Sequence, residues 1–397
     1  MEKSGIAKAA LRFVIVIGVA NFFADLTYEG ARGITGPFLG SLGASATVVG
    51  FVAGFGELVG YSLRSVTGYF ADRTRKYWLV TFVGYIINML AVPALALAGN
   101  WPVAAGLIVA ERTGRAIRKP AVEAMLSDAG KSIGAGWAFG LHEALDQAGA
   151  MVGPLVAALI LFQGKSYRSA FAVLLVSALL CLGIVAIARL VHARGAPPEK
   201  RPSHLLEAPG SSKAYWIYLA AGALIAAGFA DFSLIGFHFR KASVVAENVI
   251  PIYYAAAMGA GAAGSLIFGR LLDKLGQPVI VVLFFVTALF APLVFFGGVG
   301  LAFLGTVLWG LSMGAQDSLL KAVLTPIIPP GKRSSGFGLF DTVYGVAWFA
   351  GSALMGLLYD RSIFALVIFS VVLQLAALPL LVAAARQRTS ASSGKSA

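Results

Sequence analysis

Residues 10–35 read ALRFVIVIGVANFFADLTYEGARGIT, and residues 214–239 read AYWIYLAAGALIAAGFADFSLIGFHF. Each is long and apolar enough to cross a bilayer as a helix, which takes about 20 residues. Each carries the same unusual insertion: Phe23-Ala24-Asp25 followed by Thr27 and Gly30, and Phe229-Ala230-Asp231 followed by Ser233 and Gly236. An ionised side chain in hydrocarbon costs roughly 2.5 kcal/mol or more unless it faces a polar interior. Two spans with an acid in the same register therefore predict a duplicated membrane fold around a charged centre.

Ten further apolar stretches flank these two. The full set is roughly 10–35, 44–70, 78–98, 101–125, 136–162, 168–190, 214–239, 246–270, 278–298, 300–325, 336–358 and 362–385. The chain is 58% hydrophobic and 12% charged, well under the charge fraction of a soluble domain, which is about 25%. The remaining residues are too few for a sizeable soluble domain.

The repeat continues outward. Gly68-x-x-x-Asp72-Arg73 answers to Gly269-x-x-x-Asp273-Lys274, and Phe139-Gly140-Leu141-x-Glu143 to Phe337-Gly338-Leu339-x-Asp341. All three matches recur at nearly constant offset and in order, as homologous halves require. The expected fold is an all-α membrane protein with twelve transmembrane helices in two pseudo-symmetric six-helix bundles. The bundles cover 1–190 and 214–397. The segment 191–213, with Pro197, Pro198, Pro202 and Pro209, reads as a cytoplasmic linker.

The net charge of +13 raises nucleic-acid binding, but the positions of the charges argue against it. Arg73, Arg75 and Lys76, then Lys200 and Arg201, Lys332 and Arg333, and Arg386 and Arg388 all fall on one side of the predicted spans. That is the positive-inside pattern, and it places both termini in the cytoplasm and the chain in the inner (plasma) membrane. Trp78, Trp101, Trp137 and Trp216 sit at span ends, where interfacial anchors belong. The basic N-terminus reads as leading into a retained span. The single cysteine, Cys181, excludes an internal disulfide framework.

At this point the residues resemble the major facilitator superfamily along essentially the whole chain. Gly68-Tyr-Phe-Ala-Asp72-Arg73-Thr-Arg75-Lys76 is similar to that family's Gly-x-x-x-Asp-Arg-x-Gly-Arg loop, with Arg75 where a glycine is usual. Gly149-x-x-x-Gly153-Pro154 resembles the motif of its proton-antiporting branch, with Ala157 and Ala158 in place of the last glycines. Arg112 resembles the family's buried span-4 arginine. The resemblance implies that spans 1, 4, 7 and 10 line a central path and that spans 3, 6, 9 and 12 are peripheral. It also implies a cytoplasmic latch of Gly68, Asp72 and Arg73, repeated at Gly269 and Asp273, with Asp72 docking near Asp341 at the start of span 11.

Several intramembrane side chains are candidates for chemistry. Asp25 and Glu29 share one face of span 1. Burial penalises the ionised form of Asp25, which makes it the leading proton carrier; the competing reading is a permanently paired structural acid. Glu29, with Arg32 one turn on, reads as a gate or a salt bridge. His142, Glu143 and Asp146 cluster on span 5, as a proton relay, as partners of the span-4 bases, or as a divalent-metal site. Arg112 sits at mid-span, to hold a substrate or to pair. Arg115, Arg118 and Lys119 read as structural or snorkelling bases. Glu57 and Asp231 are further buried acids, and Asp317 and Lys321, four apart, form an expected internal pair. Trp309, Phe340, Tyr344 and Trp348 suit either an aromatic cavity wall or plain packing.

Two motifs are set aside. Gly259-x-Gly261-x-x-Gly264 lies within an apolar span without a preceding strand, so it reads as a helix-packing run and not a dinucleotide site. Gly130-Lys131-Ser132 has Met125 where a phosphate loop needs its first glycine. The expected function is secondary active transport by alternating access, not enzymatic catalysis. Proton-coupled export of a small organic solute is the favoured form, with a proton symporter or a divalent-metal exporter through His142, Glu143 and Asp146 as alternatives. No cofactor beyond a proton gradient and no nucleic acid are expected. A monomer in the lipid bilayer is.

Overall fold

The computed structural model describes residues 2–192, 213–276, 278–324, 327–328 and 333–393. Every regular element among them is helical: α1 (Glu2–Ser41), α2 (Ala46–Thr74), α3 (Tyr77–Ala94), α4 (Trp101–Ile133), α5 (Ala135–Phe162), α6 (Tyr167–His192), α7 (Lys213–Ala227), α8 (Phe232–Lys241), α9 (Ile250–Leu275), α10 (Pro278–Thr287), α11 (Phe290–Phe296), α12 (Val299–Leu324), α13 (Arg333–Arg361) and α14 (Ile363–Ser393). Among the described residues, eleven helical stretches are long and apolar enough to cross a membrane, α7–α8 and α10–α11 each counting as one. The remaining long helix is α4, whose 33 residues include Glu111, Arg112, Arg115, Arg118, Lys119 and Glu123.

The chain condenses into two compact units. The first holds α1, the second half of α2, α3 to α6 and residues 247–255. The second holds residues 44–58, α7, α8, the rest of α9 and α10 to α14. Sequence continuity and compactness thus diverge at two places, the first half of α2 and the start of α9.

In the first unit, glycines set how closely the helices approach. α1 packs against α5 where Gly30, Gly149 and Gly153 meet backbone directly. A Cβ at Gly30 would stand 2.9 Å from the Gly153 carbonyl oxygen, and one at Gly149 would strike the Phe22 carbonyl. α3 packs on α4 through Gly84 and Gly114 in the same manner. Small residues of this kind allow dispersion contacts between backbones where lipid offers no hydrophobic drive. On the other side of α3, Leu79, Val83, Ile86 and Leu90 form an exposed apolar stripe at helical spacing. Such a stripe suits lipid.

The second unit repeats the glycine device at Gly351 of α13, which abuts the Ala227 carbonyl of α7. Gly261 of α9 lies against Gly310 of α12, so the dinucleotide-like run serves packing. The stretch expected as one span at 214–239 is broken between α7 and α8. Asp231 causes the break by capping α8, its Oδ1 accepting from the Ser233 amide at 2.8 Å. The carbonyls freed by the break do not go unsatisfied, which would be costly in hydrocarbon. Gly228 accepts from Ser370 Oγ at 2.6 Å and Gln374 Nε2 at 3.2 Å, and Ala230 accepts from Trp309 Nε1 at 2.8 Å.

Residues 44–58 pack in the second unit against the end of α13. Gly54 lies against Phe349 and Ser352, and Gly50 against Ser352 and Gly356. Asp360 caps the start of α2 from outside that helix. Its carboxylate accepts from the Thr47 amide at 2.8 Å, the Thr47 hydroxyl at 2.7 Å and the Ala46 amide at 3.3 Å, with Lys241 Nζ at 3.9 Å.

Candidate functional site

The polar chemistry of the first unit gathers where α1, α4 and α5 face one another, backed by α3. A cavity of about 390 Å³ opens there, with Asn21, Asp25 and Tyr28 from α1, Arg115, Arg118 and Lys119 from α4, and His142, Glu143 and Asp146 from α5. The close α1–α5 seam at Gly149 and Gly153 is what holds Asp25 and Asp146 on facing helices.

Arg118 is the hub and is only 5% exposed. Its Nη1 donates to Asn21 Oδ1 at 2.7 Å and its Nε to Asn88 Oδ1 at 3.3 Å. Nη2 lies 4.0 Å from Asp25 Oδ1, and the guanidinium covers the Tyr85 ring at 4.5 Å. The Tyr85 hydroxyl also donates to Asn21 Oδ1. A guanidinium can only donate, so the Asn21 oxygen must face it. The Asn21 amide nitrogen therefore faces His142, 2.8 Å from Nε2. That nitrogen then serves as the acceptor, which makes the imidazole neutral in this arrangement. Nε2 also lies 3.6 Å from Asp146 Oδ2, while Asp146 Oδ1 is buried with no hydrogen-bond partner among the described residues.

Two further clusters flank the cavity. Glu29 accepts from the Tyr254 hydroxyl and lies 3.9 Å from both Arg32 and Arg115. Glu111 is buried, pairs with Arg112 at 3.3 Å and accepts from Asn88 Nδ2 at 2.9 Å.

The structure thus brings Asp25, Glu143, Asp146 and His142 together with Arg115, Arg118 and Lys119. Arg118, expected as a structural or snorkelling base, sits buried and paired at the centre of the network, as the structural alternative has it and not the snorkelling one. Arg112 turns to Glu111, and Glu29 lies beside the cavity's Tyr28 and Arg115. Other candidates fall elsewhere. Glu57 is buried in the second unit, and Asp231 caps a helix. Trp309, Tyr344 and Trp348 are closed into an aromatic core: Phe229 stacks on Trp309 at 5.3 Å and meets Trp348 edge-on at 5.3 Å, and the Tyr344 hydroxyl donates to Gln316 Oε1 at 2.5 Å. Of the latch residues, Gly68 faces Pro120, whose Cβ a methyl on Gly68 would meet at 3.3 Å; Gly269 has open space, Arg73 is exposed and Asp341 is half-buried. The side chains of Asp72, Asp273, Asp317 and Lys321 lie outside the described residues. Among the described residues, no group of three or more His, Cys, Asp or Glu is placed to hold a metal ion.

Asn21, Tyr28, Tyr85, Asn88 and Glu111 belong to the network and were not singled out by sequence. A search for ionised residues passes over neutral amides and phenols. The available signal was spacing: Asn21 is one turn before Asp25, and Tyr85 and Asn88 lie one turn apart on α3.

The family model described as Major Facilitator Superfamily matches residues 17–352, with a second match over 245–397. The chain belongs to the major facilitator superfamily. It is 39% identical to an uncharacterised protein of Mycobacterium tuberculosis, over 95% of this chain and 94% of that one. It is 24% identical to a Methanocaldococcus jannaschii protein described as an uncharacterised MFS-type transporter, over 88% of this chain and 89% of the other. Among solved structures, a POT family transporter superposes with a TM-score of 0.76 at 11% identity, covering 95% of this chain and 96% of that one. The nucleoside transporter NupG gives a TM-score of 0.70 at 12% identity, covering 94% and 98%. At such identities these two likenesses concern the fold. Family and fold together make this superfamily member an integral membrane transporter of small molecules, not an enzyme.

Proposed function

We propose that this superfamily member is a proton-coupled secondary transporter that exports a small organic solute by alternating access. The observation that carries the reading is the set of buried and half-buried acids around one cavity: Asp25 beside Arg118, and Asp146 with an oxygen lacking a hydrogen-bond partner among the described residues. A carboxyl in such a place gains or loses a proton with a large change in local field. Asp25 is the leading carrier, with Glu143 and Asp146 second. Protonation relaxes the attraction between Asp25 and Arg118 and biases one conformation over another. The halves 1–190 and 214–397 alternate between conformations that expose the solute to one side or the other, while the linker 191–213 keeps them joined. Gly68, Asp72 and Arg73 set the conformational balance from the cytoplasmic side. The protein works as a monomer in the inner membrane with both termini cytoplasmic.

The test begins with a ligand-stability screen on purified protein. Hits then enter flux measurements in proteoliposomes under pH gradients of either sign. Export coupling requires solute movement opposite to the proton gradient, whereas movement with it makes the protein a symporter. Asp25→Asn should uncouple flux from the gradient. If coupling survives that change, Asp25 is not the carrier.

A further inference from the structure

Two groups in the cavity have recognition capacity that the protein itself does not use. The first is Arg115. Its guanidinium offers five N–H donors, yet it makes no hydrogen bond among the described residues. It rests over the Tyr28 ring at 4.3 Å, and its nearest carboxylate oxygen, on Glu29, is 3.9 Å away. That is an attraction at a distance, since charge-assisted N–H···O bonds are about 2.7–2.9 Å long. The side chain is 20% exposed and lines the cavity. Arg118, by contrast, is committed to Asn21 and Asn88.

The second is the acidic wall of α5. Among the described residues Glu143 has only the Gln147 amide, at 2.8 Å. Among the described residues Asp146 has only His142, at 3.6 Å, and its Oδ1 has no hydrogen-bond partner. Neither carboxylate has a Lys or Arg nitrogen within 4 Å among the described residues. The cations thus come from α4, and these two acids, neither of them in contact with a cation among the described residues, from α5, on different walls of one cavity of about 390 Å³. That volume lies within the range of small-molecule sites.

We infer that the solute carries both an anionic and a cationic group, a carboxylate and an ammonium as in amino acids and short peptides. Its carboxylate meets the Arg115 fork, a geometry that guanidinium matches with two parallel bonds. Its ammonium meets Asp146 and Glu143. The inference rests on the transport reading and gives it a specific form: the ammonium occupies the span-5 carboxylates, the second proton site, while Asp25 remains the leading carrier. A purely anionic solute would leave Asp146 and Glu143 without a cation in contact. A purely cationic one would leave the Arg115 donors unused.

The test needs no variant at first. Purified full-length protein in lipid nanodiscs is heated with each of three matched probe series: free amino acids and dipeptides, their C-terminal amides, and their N-acetyl forms. A ligand that binds the folded state raises the midpoint in proportion to its affinity. The free zwitterions should stabilise, and both blocked series should bind about 10- to 100-fold more weakly, the loss expected for one charged hydrogen-bonding group. Arg115→Gln should erase the preference for free acid over amide but keep the preference for free amine over N-acetyl. Asp146→Asn with Glu143→Gln should do the reverse. Equal binding of a blocked series and the free one overturns the inference, and so does the absence of stabilisation by any member. Should a blocked or unrelated solute be carried in vesicles, transport stands and the solute class falls. Should a zwitterion bind and never cross, the class stands and transport falls.

Discussion

Gly153→Ala tests whether the α1–α5 seam is what holds the cavity in register. The added methyl would meet the Leu26 carbonyl and stand 2.8 Å from the Gly30 amide nitrogen. Both obstacles are backbone, so no side chain can turn aside. α1 has to retreat until both the Leu26 carbonyl and the Gly30 nitrogen stand at least the 3.4 Å of ordinary contact away. Forced separation of a packed interface costs about 1–3 kcal/mol. Gly140→Ala is the control: it sits on the same helix, lines the cavity and has nothing within 4 Å of the new methyl. There the change should be neutral, or stabilising by up to about 1 kcal/mol from helix propensity alone. Thermal unfolding in detergent, with size-exclusion profiles to confirm folded protein, separates the two. Once α1 has moved, Gly30→Ala added to Gly153→Ala should cost less than the sum of the single changes, because the two sites share one contact. Gly153→Ala with wild-type stability, or indistinguishable from Gly140→Ala, refutes the argument that direct backbone contact sets this seam.

Three further outcomes follow from hydrogen bonds in the structure. Ser370→Ala removes the 2.6 Å donor to the Gly228 carbonyl at the α7–α8 break and should lower stability by about 1–3 kcal/mol, with Ser370→Ala/Gln374→Ala lower still in the same melting assay. Asp360→Ala strips the start of α2 of its cap and should cost about 0.5–2 kcal/mol, part of it recovered by Asp360→Asn, which keeps the side-chain size and one acceptor oxygen. Asn21→Ala withdraws an acceptor from buried Arg118 and from Tyr85 together; a fall of about 1.5–3 kcal/mol is expected by thermal unfolding, and an unchanged midpoint would mean that the amide does not organise the network.

The fold was legible in the sequence because bilayer thickness sets helix length and because the Phe-Ala-Asp repeat sits in matching spans. Asp25 and the span-5 group were legible because an ion in an apolar run is conspicuous. Asn21, Tyr85 and Asn88 were not, because uncharged polar residues tolerate many settings. The depth of Arg118 is less legible: two residues before Pro120, it fits a snorkelling base at a helix end as well as a structural one, and only the continuation of α4 to Ile133 places it well inside the helix. The aromatic residues Trp309, Tyr344 and Trp348 illustrate the opposite ambiguity. Their spacing fits a cavity wall or a core equally, and only the packing around Phe229 decides.

The two halves show which parts of a duplicated scaffold are free to diverge. Gly153 and Gly351 occupy matching places in the repeat, and both admit a neighbouring backbone, α1 in one case and α7 in the other. Packing geometry imposes that identity, since any side chain would separate the helices. The matched acids Asp25 and Asp231 face no such constraint and have parted. Asp25 looks onto a cavity beside Arg118, while Asp231 turns back to cap α8 and breaks its own span. Both solutions answer the same cost of placing a carboxylate in hydrocarbon, one with a cation and a cavity, the other with backbone amides. Only the first leaves the acid accessible to a solute or a proton. An acid that caps a helix is needed where it is: Asp231→Asn should melt close to wild type because asparagine caps well, whereas Asp231→Leu should unfold the α7–α8 break. If Asp231→Leu instead melted like wild type, the cap would not be what answers the cost of burying that carboxylate, and the division of labour drawn here between the two acids would fail.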